Sequence, residues 1–115
     1  MTHLLTFRFG LREEKEAEDF LASTSDPNVI QEAHRQLSLP VAHRWHISGP
    51  ISRVLPGTNL GWSWKHADSL WQFTELSIEL CDAKPSHIEL NLDEWLSHVG
   101  QACPWSSFVK REEDL

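Results

Sequence analysis

Cys81, Cys103, His66, Asp82 and His87 are side chains that could do chemistry, because thiolates and imidazoles attack or ligate and carboxylates orient or take a proton. Such chemistry needs convergence, and local spacing does not supply it. No Cys-x-x-Cys, His-Glu-x-x-His or Gly-x-Ser-x-Gly pattern occurs in the chain. His43 and His46 lie three apart, which on a strand sends them to opposite faces. His66 and Asp68 share a parity but fall in a turn-like region. A metal would have to gather ligands from several segments, such as His66, Asp82 and His87. Cys103 with His98 is a conceivable thiol–imidazole pair, yet Pro104-Trp105 beside it points to a rigid turn. Ser106-Ser107 near His98 carries no nucleophile signature, and five scattered glycines make no phosphate cradle.

Two cysteines are too few for a disulfide scaffold or a four-thiolate zinc site. The favoured reading is two buried free thiols in a reducing cytosol. The alternative is a disulfide or redox pair closing a loop of 21 intervening residues, which would stabilise by about 3 kcal/mol.

The densest chemical signal is aromatic. "NLGWSWKHADSLWQF", residues 59–73, holds three of the six tryptophans. Trp62 and Trp64 share a parity and are expected to project from one face of a short strand, with Trp71 and Phe73 on the opposite strand of the same hairpin. The favoured reading is a core-facing aromatic ladder, worth about 0.2–1 kcal/mol per cross-strand pair. The competing reading is an exposed aromatic surface that binds a ligand or partner. Asn59, Trp62, Trp64, His66 and Asp82 are accordingly the candidate binding residues. Cys81, Cys103 and Trp105 are structural candidates. No catalytic residue, metal ligand or cofactor is assigned.

The elements that would position these residues follow from periodicity. In "HLLTFRFG", Leu5, Phe7 and Phe9 alternate with Leu4, Thr6 and Arg8, the pattern of a strand with one apolar face. Residues 12–18, "REEKEAE", carry almost no apolar stripe and read as a solvated hairpin loop leading to a strand at Phe20-Leu21-Ala22. A helix over residues 13–21 is the rival. In "SDPNVIQEAHRQL", Asp26 caps, Pro27 takes the first helical position, and Ile30, Ala33 and Leu37 share a face, with Pro40 as the stop. His34 sits beside that stripe as a boundary residue.

"HRWHISGPISRV" is strand-like, and Gly49-Pro50 predicts an edge, bulge or bend. "LPGTNLG", from Leu55 through Pro56 to Gly61, is a turn-rich loop. The longest strand is expected over residues 70–81, with a phase flip at Thr74-Glu75 that predicts a bulge or sharp twist. Ser86 and Glu89 form a capping box ahead of a helix over 87–99, with Ile88, Leu92, Trp95, Leu96 and Val99 inward and Gly100 at its end. After it, Pro104 holds Cys103 extended. Cys103 and Trp105 are expected to be largely buried, while "KREEDL" frays into solvent.

These motifs together resemble the BP-seventy-four-type N-terminal domain family: an Asn-x-Gly-Trp-Ser loop (Asn59, Gly61, Trp62, Ser63), an aromatic strand ending in Cys81-Asp82, a helix, and Cys103-Pro104-Trp105-Ser106. "SDPNVIQEA" and "HISGPI" are also similar, whereas residues 10–18 and the Trp64-Lys65-His66 triplet lie outside the pattern. The resemblance implies one α+β domain and favours the hairpin for residues 12–22. It implies no reaction.

Length and composition set the outer bounds. The 115 residues suit one domain, 1–115, and 40% hydrophobic residues suffice for a core. No apolar run approaches the roughly 20 residues of a membrane span. Residues 1–10 show no basic start followed by an apolar stretch, so the cytoplasm is the expected compartment. Seventeen acidic against ten basic residues, net −7, repel phosphate backbones. The expected fold is α+β, a twisted antiparallel sheet of four or five strands with two helices packed on it. The expected function is a non-enzymatic binding or protein-interaction module with the tryptophan-rich hairpin as its surface. Its partner would be an unidentified protein or small-molecule ligand, with neither nucleic acid nor membrane. The alternative is a small enzyme or metal-dependent protein using His66, Asp82 and Cys103.

Overall fold

Alternation of Phe7 and Phe9 with polar neighbours does make a strand. β1 (Leu5–Leu11) lies at the centre of an antiparallel sheet, and both rings are fully buried. The computed structural model describes residues 3–55 and 57–113. Its first sheet has the order β2-β1-β7, with β2 at Phe20–Thr24 and β7 at Ser107–Glu113. The charged stretch between β1 and β2 is a hairpin loop with a single 3-10 turn at Glu16–Glu18, because nothing apolar docks a longer helix there. Phe7 pairs with Ala22 and Phe9 with Phe20.

The C-terminal tail departs from expectation. Lys110 through Glu113 belong to β7 instead of fraying, while Asp114 and Leu115 lie outside the described residues. The cause is a carboxylate. Asp19 Oδ2 accepts from Arg8 Nε and from Lys110 Nζ, each at 2.8 Å, and the Asp19 side chain is 1% exposed. One buried acceptor therefore ties β1, the hairpin and β7 together.

The second sheet is built on β3 (His46–Arg53). β5 (Gln72–Thr74) runs antiparallel to its first half, with Ile47 opposite Phe73, and β4 (Trp64–His66) to its second half, with Ile51 opposite His66. β6 (Gln101–Ala102) pairs with Gly49 and Pro50. The expected single sheet of four or five strands is thus corrected to two antiparallel sheets. The expected Trp62–Trp71 hairpin is corrected too, since its two halves both pair with β3.

Gly49-Pro50 forms no edge: the strand runs through it in the middle of the sheet, where its partner changes from β5 to β4. Pro50 O accepts from Ala67 N at 2.9 Å, so the ring's missing N–H is not needed for this link. Gly49 is required for space, because a Cβ there would lie 2.7 Å from both Cα and Cβ of Trp71.

α1 (Pro27–Leu37) begins as expected, with Asp26 accepting from Asn28 N and Pro27 at the first turn. The second helix differs. α2 spans Pro85–Leu90, the chain kinks at Asn91 (φ −121°, ψ 32°), and α3 (Leu92–Glu94) continues into a π turn over Trp95–Val99. The capping box does not form. Ser86 N instead donates to Glu18 Oε1 at 3.1 Å, and Glu89 Oε1 accepts from Ser63 N at 2.8 Å, because tertiary partners outcompete the local pair. Gly100 does end the segment, at φ 74°. The strand expected over 70–81 is only β5, and past it the chain leaves the ladder. The loop expected over residues 55–61 does turn, with Gly57, Leu60 and Gly61 at positive φ, while Pro56 lies outside the described residues.

One core cluster joins both sheets and the second helical segment through Phe7, Phe9, Phe20, Ile47, Trp64, Trp71, Phe73, Ile88 and Val109. Phe9 stacks on Phe20 at 5.4 Å and meets Trp71 edge-on at 5.6 Å.

Gly49→Ala is expected to destabilise by about 1–3 kcal/mol, at the upper end, because the clash is with backbone and no rotamer relieves it. A urea midpoint within error of wild type would contradict the close approach of Trp71.

Candidate functional site

Asn59 is fully buried and works as a two-sided clamp. Its Oδ1 accepts from Leu21 N and its Nδ2 donates to Trp64 O, both at 2.6 Å, and its own carbonyl accepts from Trp62 N at 2.9 Å. The loop turns sharply enough for this because Leu60 and Gly61 adopt φ of 51° and 96°. Trp64 is then driven fully into the core against Phe20. Trp62 stays half-buried, its Nε1 donating to Asp19 O at 2.8 Å. The core-ladder reading of this stretch therefore describes Trp64, Trp71 and Phe73, and Trp62 covers the edge.

His66 is fully buried. Its Nε2 donates to Ala102 O at 2.9 Å, and its Nδ1 has no partner among the described residues. Burial drives its pKa down to about 4, partly opposed by the bond to Ala102, so the ring is neutral at pH 7. His46 is also shifted down by burial, with its Nε2 donating to Leu76 O at 3.0 Å. His43 lies in an exposed turn at Val41–His43.

Cys81 and Cys103 are bonded to each other, with Cα atoms 5.2 Å apart and both residues buried. The favoured free-thiol reading is corrected. A backbone bond sets the two side by side, with Cys103 N donating to Cys81 O at 2.8 Å. Asp82 is exposed and its Oδ1 accepts from Trp105 N at 2.9 Å. Trp105 is half-buried, less than expected, and Cys103 is buried as expected. His66 thus bonds to a backbone carbonyl, Asp82 caps a turn, and the Cys103 sulfur is committed. Among the described residues no three His, Cys, Asp or Glu side chains are placed to hold a metal ion.

What sequence reasoning missed is the surface just past β5. Thr74 Oγ1 accepts from Leu76 N at 2.9 Å and turns the chain out of the ladder. Leu76, Ile78 and Leu80 are then 71%, 48% and 67% exposed. The phase flip at Thr74-Glu75 was the signal for this, but it turned these side chains to solvent, not to a second core face. The segment is nonetheless fixed from below through its backbone. Leu76 O is held by His46, Ile78 O accepts from Trp105 Nε1 at 3.2 Å, and Cys81 is held by the disulfide. The result is a ridge with an anchored main chain and outward aliphatic side chains. Beside it opens a groove of about 610 Å³ lined by Arg12, Trp45, His46, Thr74, Glu75 and Trp105, among others.

The model of a family described as the BP-seventy-four N-terminal domain matches residues 5–115. No curated protein and no solved structure matches the chain.

The buried imidazole and the disulfide each generate a measurable outcome. An unfolded imidazole takes its proton near pH 6.5, whereas folded His66 resists until about 4. Its contribution is complete above about pH 6.5, falls as pH drops through that window and levels off near 4, a loss of about 3 kcal/mol at about 1.4 kcal/mol per unit. His66→Gln, which keeps a donor for Ala102 O, should flatten the slope of urea stability between those limits, and an unchanged slope would contradict the assignment. Replacing both cysteines by alanine should cost about 3 kcal/mol by the loop-closure argument. Mass spectrometry of the protein denatured without reductant should find no free thiol.

Proposed function

The chain belongs to the BP-seventy-four N-terminal domain family, and on that premise we propose that it is a non-enzymatic protein-interaction module whose contact surface is the ridge of residues 75–80. The observation that carries this reading is the exposure of Leu76, Ile78 and Leu80 on a segment whose backbone is already fixed. Contiguous apolar surface left in water marks a contact site more often than a free face. A surface that is already ordered loses little conformational entropy on binding.

The tryptophan loop supports this role less well. Trp64 has no surface to offer, and Asn59 and His66 spend their polar atoms inside the fold. Of the residues singled out from sequence, Asp82 lies beside the ridge and Trp62 keeps partial exposure. The rival reading, an enzyme or metal-dependent protein built on His66, Asp82 and Cys103, has its imidazole buried and its sulfur in a disulfide.

Location follows the same logic. No described helix is long and apolar enough to cross a membrane. The sequence points to the cytoplasm, but a buried disulfide favours an oxidising compartment, because cytosolic thiols are kept reduced. The net charge of −7 continues to disfavour nucleic acid as a partner.

Immobilised wild-type protein, Leu76→Ser/Leu80→Ser and Trp62→Phe provide the test, each first checked for native near-UV circular dichroism. Partners retained by wild type and by the Trp62 variant should be lost from the ridge variant. Retention of the same partners by the ridge variant would remove the ridge from consideration.

A further inference from the structure

The residues between and beside the aliphatic side chains of the ridge are acidic: Glu75, Glu79 and Asp82. All three are exposed. Among the described residues none of them takes part in an ion pair, although Glu14, Asp19, Glu32, Asp68, Asp93, Glu112 and Glu113 all do. Asp82 uses one carboxylate oxygen on Trp105 N. The sequence from Glu75 to Asp82 therefore shows water a short row of aliphatic groups bordered by free carboxylates, on a chain of net charge −7.

We propose that the occupant of this ridge is an extended segment of a partner protein in which lysine or arginine alternates with aliphatic residues. This rests on the ridge being the contact surface, and adds to it the chemistry of the partner. Ile78 is in extended conformation (φ −100°, ψ 112°) ahead of a 3-10 turn at Glu79–Cys81, so the ridge presents Leu76 and Ile78 two residues apart in sequence and then Leu80 on the turn. A partner with the same spacing sets its apolar residues on that row and its cations among Glu75, Glu79 and Asp82. The opposite charge steers encounter and rejects acidic competitors. The guanidiniums of the neighbouring groove set the limit of the site. Arg12 and Arg44 donate to the carbonyls of Val41, Arg44, Leu37, Leu39 and Val109 and repel a basic chain from the Thr74 end. The partner's cations are thereby directed towards Glu79 and Asp82. An anionic membrane surface fits poorly, because the same carboxylates repel it.

The test uses the full chain with its disulfide intact and three blocked synthetic peptides of equal length: alternating lysine and leucine, alternating glutamate and leucine, and alternating lysine and serine. Titration calorimetry should find binding to the lysine–leucine peptide alone. That binding should weaken on raising NaCl from about 50 to about 500 mM, as exposed charges are screened. Glu79→Gln and Leu76→Ser/Leu80→Ser should each reduce the affinity by about tenfold or more, the scale of a contact hot spot. Equal binding of the glutamate–leucine peptide, or full affinity in the glutamine variant, overturns the charge assignment while leaving the ridge standing. Full affinity in the Leu76/Leu80 variant overturns the ridge and the proposal with it. Binding of the lysine–serine peptide as tightly as the lysine–leucine one removes the aliphatic row from the recognition. Sedimentation showing a dimer that the Leu76/Leu80 variant abolishes would assign the ridge to a second copy instead. Adsorption to phosphatidylcholine vesicles without peptide binding would assign it to a lipid surface.

Discussion

Trp71 stands where the two sheets meet, and its position is a single steric and polar solution. Its backbone approaches Gly49 so closely that no Cβ fits between them, which holds β5 tightly against β3. Its indole Nε1 donates to Ser23 O at 2.7 Å, reaching β2 in the other sheet. Its ring meets Phe9 and Phe73 edge-on, each at 5.6 Å. A buried indole brings much apolar area together with one N–H donor, and Trp71 uses both to tie the two sheets to each other. The remaining core aromatics pack around that joint.

Polar groups reinforce the joint where it would otherwise leak water. Asp19 is almost completely buried, yet it is supplied by Arg8 and Lys110 on its carboxylate and by Trp62 on its carbonyl. Taking away both cations would leave the buried carboxylate without a counterion, a loss of about 3–5 kcal/mol. Asn59 does the same for neutral groups, closing the Leu21 amide and the Trp64 carbonyl with one side chain. Much of the apparently functional chemistry of residues 59–66 is consumed in this way. The polar atoms that drew attention in the sequence are the ones that let tryptophans be buried.

The ridge is the reverse case. Its backbone carbonyls point inward and its aliphatic side chains outward, an arrangement that hydrophobic burial alone would not produce. It persists because carbonyl acceptors, Trp105, His46 and the disulfide hold the main chain, while the core below is already filled by Ile47, Trp71 and Phe73. Leu76, Ile78 and Leu80 have no cavity left to enter. A structural staple and the proposed contact surface thus share the same short segment, and the Cys81–Cys103 bond ties down its end.

Local signals determined the elements that depend on local physics. β1, the hairpin into β2, the Asp26-Pro27 start of α1 and the Gly100 stop were all legible, because alternation, capping and left-handed glycine act within a few residues. The family resemblance was legible as well, in Asn59, Gly61, Trp62, Cys81, Asp82 and Cys103-Pro104-Trp105. The strand partners were not. Pairing both β4 and β5 with β3, and running Gly49-Pro50 through the middle of a sheet, are settled by which surfaces meet at long range. The capping box at Ser86 failed for the same reason: Glu18 and Ser63 offered better-placed partners from distant segments. Sequence could also say that six tryptophans demanded burial or contact, and that two cysteines stood near the ends of elements. Only the tertiary structure decided which tryptophans were inside and which leucines were left outside. Periodicity records that side chains alternate, whereas burial depends on whether another part of the chain already occupies the space they face.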